Sequence, residues 1–244
     1  MAYHWNWGIL WELSPDGQGT YFDMLLAGLA WTVITAIGAW AIAVILGSVV
    51  GVLRSLPSRW LPRLGTAYVE IFRNVPLLVQ LFLWFFVLPE LLPRSWGLWL
   101  KQLPDAPLWT AIFGIGFYMS ARVAEQVRAG IAALPPGQRM AGTALGLTLP
   151  QTYRYVLLPM AYRIILPPLT SEFLNTIKNT SVALTIGLIE LTAQARAMQE
   201  FSFQVFEAFS VATLLYLLVN AVVVFAMRWL EGRVAVPGYI VSAR

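Results

Sequence analysis

Five long apolar stretches set the solvent this chain can live in. They run at about Phe22–Leu53, Leu64–Leu92, Leu108–Ile131, Tyr162–Leu191 and Phe206–Leu230. A helix needs about 20 apolar residues to cross a bilayer's hydrocarbon core, and each stretch reaches that length. In lipid no water is present to satisfy stray backbone N–H and C=O groups, so each run must be helical. Charged residues make up only 11% of the 244 residues, against about 25% in soluble domains. The expected fold class is therefore all-α, a polytopic membrane protein of five transmembrane helices. Several runs exceed the minimum, so tilt or extension beyond the core is expected. Small residues in the first span (Gly28, Ala30, Ala36, Gly38, Ala41, Ala43, Gly47 and Gly51) favour close helix packing, because packing rather than hydrophobicity joins helices in lipid.

The arginines fix the orientation. Arg54, Arg59 and Arg63 lie between spans one and two; Arg122, Arg128, Arg139, Arg154 and Arg163 surround the loop between spans three and four; Arg228, Arg233 and Arg244 follow span five. The opposite side holds Arg94, Lys101 and Arg196 among Glu12, Asp16, Glu90, Asp105, Glu200 and Glu207. Cytoplasmic loops carry the excess of basic residues, so the N-terminus is expected outside and the C-terminus inside. The same asymmetry accounts for the net charge of +4 without a nucleic-acid partner. Residues 1–20 read as a periplasmic or interfacial segment whose Trp5, Trp7 and Trp11 suit the headgroup zone. With Glu12, Asp16 and no basic n-region, that segment does not read as a signal peptide. Residues 21–232 form the transmembrane domain and 233–244 a cytoplasmic tail. Cysteine is absent and the single histidine is His4, which excludes disulfides and thiolate metal sites and disfavours a histidine-based one.

The loop at about 135–159 is unusual for a connector. Pro135-Pro136 can open a helix, since proline at the first helical position loses no needed N–H. The sequence then predicts a short helix over Gly137–Leu145, a break at Gly146, a cap at Thr148 and a second short helix, Gln151–Leu158, ending at Pro159. Two short helices with a sharp break make a stiff knob, able to transmit a push.

This loop carries a resemblance. Gly146 stands ten residues before Val156-Leu157-Leu158-Pro159, the spacing of the cytoplasmic Glu-Ala-Ala loop in membrane subunits of binding-protein-dependent ABC importers. Met140-Ala141-Gly142 occupies the place where Glu-Ala-Ala is usual, so a charge contact there would be replaced by apolar docking. The segments Val69-Glu70-Ile71-Phe72-Arg73-Asn74-Val75-Pro76-Leu77-Leu78-Val79-Gln80, Pro167-Pro168-Leu169-Thr170-Ser171-Glu172-Phe173-Leu174-Asn175 with Lys178-Asn179-Thr180-Ser181, and Pro237-Gly238-Tyr239-Ile240 resemble the polar amino acid permeases, in particular the glutamate/aspartate branch. The likeness implies a permease subunit of the bacterial inner membrane, with a homologous permease subunit as heterodimer partner. It further implies two cytoplasmic ATP-binding subunits, which hold the ATP and Mg, and a periplasmic amino-acid-binding protein. It places ATPase coupling on Met140, Ala141, Gly142, Gly146, Val156, Leu158 and Pro159. No cofactor is expected on this chain.

Four charges inside the spans need a reason independent of family. Glu70, Arg73, Glu172 and Lys178 each cost at least roughly 2.5–3.5 kcal/mol near the bilayer centre, so they should meet water, a partner or a ligand. Glu70 and Arg73 are three apart and can share a helix face. Ser171, Asn175 and Lys178 form a polar stripe that Thr180 and Ser181 extend, while Glu172 and Lys178 fall on roughly opposite faces. Pro76 and Pro167-Pro168 free backbone carbonyls, which spans tolerate beside a cavity. The reading is a midplane cavity in which Arg73 and Lys178 receive substrate carboxylates, Gln80 adds a hydrogen bond, and Glu172 grips an ammonium or a structural partner. Arg73 could instead serve only to neutralise Glu70, and Lys178 to pair with another subunit.

Two other classes compete. A membrane enzyme would need a nucleophile with its base or a metal, and the chain supplies no Cys and no depth-matched carboxylate cluster. A passive channel would open without a motor. The chain has no Gly-rich phosphate loop ending in Gly-Lys-Ser/Thr, so ATP hydrolysis is expected on a partner. Within the importer reading the alternative substrate is another polar amino acid, such as glutamine.

Overall fold

Helices carry all the regular structure among the described residues, which in this computed structural model are 3–15, 17 and 19–234. A lone antiparallel bridge, Leu13 with Thr20, is the only strand-like pairing there. Asp16, Arg244, the Pro237–Ile240 motif and most of the expected tail lie outside the described residues.

A short 3-10 turn, Trp7–Trp11, precedes α1 (Tyr21–Ser55). Then come α2 (Leu61–Asn74), α3 (Leu77–Phe82), a π-helical segment Leu83–Val87, α4 (Leu88–Leu91) and α5 (Arg94–Lys101). Next are α6 (Ala106–Ala132), α7 (Pro136–Ala144), α8 (Leu149–Thr152), a second π segment Tyr153–Leu157 and α9 (Leu158–Asn179). The chain closes with a 3-10 segment Thr180–Ile186, α10 (Leu191–Ser202) and α11 (Val205–Val234).

Three expectations change. The second span is not one rod: Val75 is extended at ψ 127° before Pro76, and the helix restarts at Leu77. Proline disfavours helical geometry at the residue before it. The fourth span ends at Asn179 rather than near Leu191, as the helix tightens into 3-10 turns and stops at Gly187, whose φ is +90°. Pro159 does not end a helix, because α8, the π segment and α9 follow one another without a break. Each π segment lies directly before a Leu-Pro pair, Leu88-Pro89 and Leu158-Pro159. The wide turn, in which Leu88 N–H reaches Leu83 and Leu158 N–H reaches Tyr153, relieves the clash between a proline ring and the carbonyl four residues back.

Two helices, α1 and α11, are long and apolar enough to cross a membrane, and the broken pair Leu61–Asn74 with Leu77–Leu91 qualifies as a third. α6 and α9, at 27 and 22 residues, have the length for about 30 Å of hydrocarbon. Charges such as Arg122, Glu125 and Glu172 dilute their apolar character.

The chain divides into two compact units. The first holds residues up to Trp40, Pro76–Gly116 and Asn175–Val222. Its core joins Leu25 of α1 to Leu191, Ala195 and Met198 of α10 and to Ala208 and Val211 of α11. The second holds Ala41–Val75, Phe117–Leu174 and the chain from Val223. Here Val50, Val69, Ala121 and Ala124 pack together. Gly47 and Gly51 let α1 lie on α6: a Cβ at either would fall 2.7 or 2.8 Å from the Ser120 or Ala124 carbonyl oxygen. Close approach of this kind is how helices bind in lipid.

Candidate functional site

In the second unit, α7, α8 and the π segment fold into the knob that the sequence predicts. Gly146 has φ +76°, a left-handed conformation that glycine adopts freely. Leu147 N–H reaches the Gly142 carbonyl at 3.1 Å and Gly146 N–H reaches Thr143 at 3.0 Å. This pair of bonds is a Schellman cap, which satisfies the last carbonyls of α7. Two residues on, Gln151 Oε1 accepts from the Thr148 N–H at 2.8 Å and from its hydroxyl at 2.9 Å, closing the start of α8. Gly142 is buried against Thr152, with room for no Cβ (2.9 Å to Cγ2).

The knob is fastened below and bare above. Leu134, Tyr153, Leu157 and Ala161 form an apolar cluster that Val156 and Met160 join. The Tyr153 hydroxyl donates to the Ser55 carbonyl at 2.8 Å, tying the knob to the end of α1. Met140 is 67% exposed and Leu145 79%. Ala141, Gly146 and Pro159 are also exposed, while Leu158 is half-buried. The residues expected to couple thus separate into outward ones, Met140 and Ala141, and ones that shape the knob, Gly142, Gly146 and Val156.

The second unit also contains an ionic cluster that the sequence reading passed over. Glu125 of α6 meets Arg54 of α1 at 2.8 Å, Arg73 of α2 at 3.3 Å and Arg128 one turn along α6 at 3.1 Å. Arg73 therefore pairs with Glu125, not Glu70. The buried face of α2 runs through Gly65 and Val69; Arg73, one turn beyond Val69 and half exposed, reaches α6 from that side, while Glu70 lies one residue round the helix from Val69 and is exposed. Part of the signal was present in the sequence, a carboxylate inside an apolar run with Arg128 three residues on; Arg54 and Arg73 come from other helices. Glu172, 8% exposed, faces Arg122 at 3.3 Å, so its counter-charge lies on α6. Ser171 is exposed on the same turn of α9.

In the first unit, α3 packs against the 3-10 segment, bringing the element that carries Gln80 to the one that carries Thr180 and Ser181. Gln80 is 4% exposed and Thr180 is fully buried. The Thr180 and Ser181 hydroxyls each donate at 2.7 Å to carbonyls three residues back, Ile177 and Lys178. Asn175 is half-buried and Lys178 exposed. The spacing of Ser171, Asn175 and Lys178 sets them on one side of α9.

Buried Glu190 also escaped the sequence reading. It caps α10, accepting from Ala193 N–H at 2.8 Å, Thr192 N–H at 2.9 Å and the Tyr216 hydroxyl at 2.8 Å. Thr32 of α1 accepts the Leu191 N–H at 3.1 Å. The first three N–H groups of α10 are therefore all satisfied. At the start of α11, Glu207 accepts from the Asn6 N–H at 2.6 Å and from the Tyr3 hydroxyl. Donation to this carboxylate pushes the Tyr3 phenol up to about 12.

Long apolar helices, ion pairs set within α6 and α9 and a capped, exposed knob suit a membrane subunit, and sequence relatives place it. Residues 43–236 match the family of binding-protein-dependent transport system inner membrane components, and the chain belongs to that family. It is 47% identical, over 98% of both chains, to the glutamate/aspartate import permease protein GltJ of Escherichia coli K12. It is 34% identical to a probable amino-acid ABC transporter permease, PatM, of Vibrio harveyi, over 96% of this chain and 97% of that one. A crystal structure of an amino acid ABC transporter with histidines superposes at a TM-score of 0.74 with 29% identity, covering 87% of this chain and 95% of that one. The fold is that of a type I ABC importer permease, in the inner membrane.

Proposed function

We propose that this chain is a permease subunit of an ATP-driven importer of glutamate and aspartate. The observation that carries the substrate is the 47% identity, across nearly the whole chain, to a glutamate/aspartate import permease. The subunit crosses the inner membrane five times, N-terminus out and C-terminus in, with α6 and α9 as two of the spans. It pairs with a homologous permease subunit. Two ATP-binding subunits holding ATP and Mg grip the knob from the cytoplasm, and a periplasmic binding protein delivers substrate. This chain hydrolyses nothing itself.

Nucleotide-driven movement of the knobs rocks the halves of the assembly and exposes the substrate cavity to alternate sides. Arg73, with its planar fork, and Lys178 receive the two carboxylates of an acidic amino acid. Gln80, Ser171, Asn175, Thr180 and Ser181 supply the polar lining, and Glu172, held by Arg122, stays clear of the anionic end. The test is glutamate uptake by proteoliposomes containing the full assembly and its binding protein. Uptake should require ATP, be competed by aspartate and hardly by glutamine, and fall in K178M while the ATPase still co-purifies. Uptake without ATP would indicate a channel, glutamine competition would reassign the substrate, and unchanged uptake in K178M would remove Lys178 from the pathway.

A further inference from the structure

Three guanidinium groups surround one carboxylate in the second unit, more cations than Glu125 alone can neutralise. We propose that Glu125 is a positioning residue that aims Arg73 at the substrate carboxylate; the inference rests on the assignment of Arg73 to the translocation path. Arg54 and Arg73 share Oε1 of Glu125, and Arg128 takes Oε2. One negative charge thus faces three positive ones, and Arg73, half exposed, is free to take a further anion on its open side.

The three arginines differ in what they can reach. Arg54 has a side chain only 10% exposed, and its stem lies under the α2 backbone at Gly65, 2.5 Å from where a Cβ would sit. It is the fixed counter-ion. Arg128 shares a helix with Glu125 and follows it rigidly. Arg73 has the longest contact, 3.3 Å through Nη1, and a side chain 52% exposed. A single-point hold of this kind leaves the outer edge of the fork for two-point binding of a second carboxylate. Arg54 secures Glu125, Glu125 orients Arg73, and the substrate supplies the missing negative charge.

The experiment is a double-mutant cycle on the purified permease–ATPase assembly in detergent, without binding protein, reading the dissociation constant of radiolabelled glutamate in wild type, E125Q, R73A and E125Q/R73A. Contacting, coupled residues show non-additive effects, so E125Q alone should weaken binding about tenfold and add less than about twofold once Arg73 is gone. E125D, which keeps the charge, should recover part of the loss. Equal weakening by E125Q with and without Arg73, or no weakening at all, overturns the positioning role. Wild-type binding by R73A alone overturns the assignment of Arg73 itself, and the inference with it. If E125Q fails to assemble, the same cycle run with E125D decides: its weakening must vanish in the R73A background, and persistence there overturns the role.

Discussion

Gly146 shows how much one backbone angle holds in place. Its φ of +76° closes the Schellman cap that turns α7 toward α8, and a Cβ there would meet nothing within 4 Å. The penalty for replacing it is thus purely conformational. Gly146→Val should cost about 1–2 kcal/mol and Gly146→Asn less, read as a fall in the thermal midpoint of the detergent-purified assembly and in uptake per ATP hydrolysed. Gly47 is the opposite case. Gly47→Ala drives a methyl into the Ser120 carbonyl and Val123, and overpacking of this kind costs roughly 1–3 kcal/mol, whereas Gly137→Ala enters open space and should leave the midpoint unchanged or slightly raised. The punctuation at Gly146 and Thr148 was legible in the sequence because caps are local chemistry. The partner of Arg73 was not. Spacing on α2 alone offered Glu70, and only the packing of α2 on α6 brings Glu125 within reach.

At the scale of elements, long apolar runs located α1, α6 and α11 to within a few residues, since hydropathy reports helix burial in lipid directly. The end of the fourth span was hidden because the stretch 182–189 is largely apolar, yet the helix tightens into 3-10 turns and stops at Gly187. The π segments were hidden for a related reason: their cause, the prolines at 89 and 159, normally signals an end rather than a wide turn. α10 was missed because it is short, and its stability comes from Glu190, Thr32 and Tyr216 on three elements. Glu190→Gln replaces an acceptor with an amide that can satisfy fewer of these donors. Leaving buried donors unmet costs about 1–3 kcal/mol, so hydrogen exchange should accelerate across Leu191–Ser202 while α7 and α8 exchange at the wild-type rate.

At the scale of the whole molecule, the polar parts divide by role. The ionic clusters at Glu125 and Glu172 fall on the two helices that carry too much charge for plain lipid-facing spans, as expected if those charges serve a pathway. In the proposed function, the exposed apolar residues of the knob, Met140 and Leu145, are the surface offered to the ATPase. Replacing Met140 with Asp should abolish ATP-driven uptake and release the ATPase on co-purification, while circular dichroism of the permease stays at wild type. The most direct measurement of the central claim uses the chain's lack of cysteine: M140C introduces a unique thiol, to be crosslinked in membranes of known sidedness. The account predicts capture of an ATP-hydrolysing subunit from the cytoplasmic face, with a yield that changes when nucleotide binds. A thiol labelled only from the periplasm, or one that never captures such a subunit in an actively transporting membrane, would contradict it.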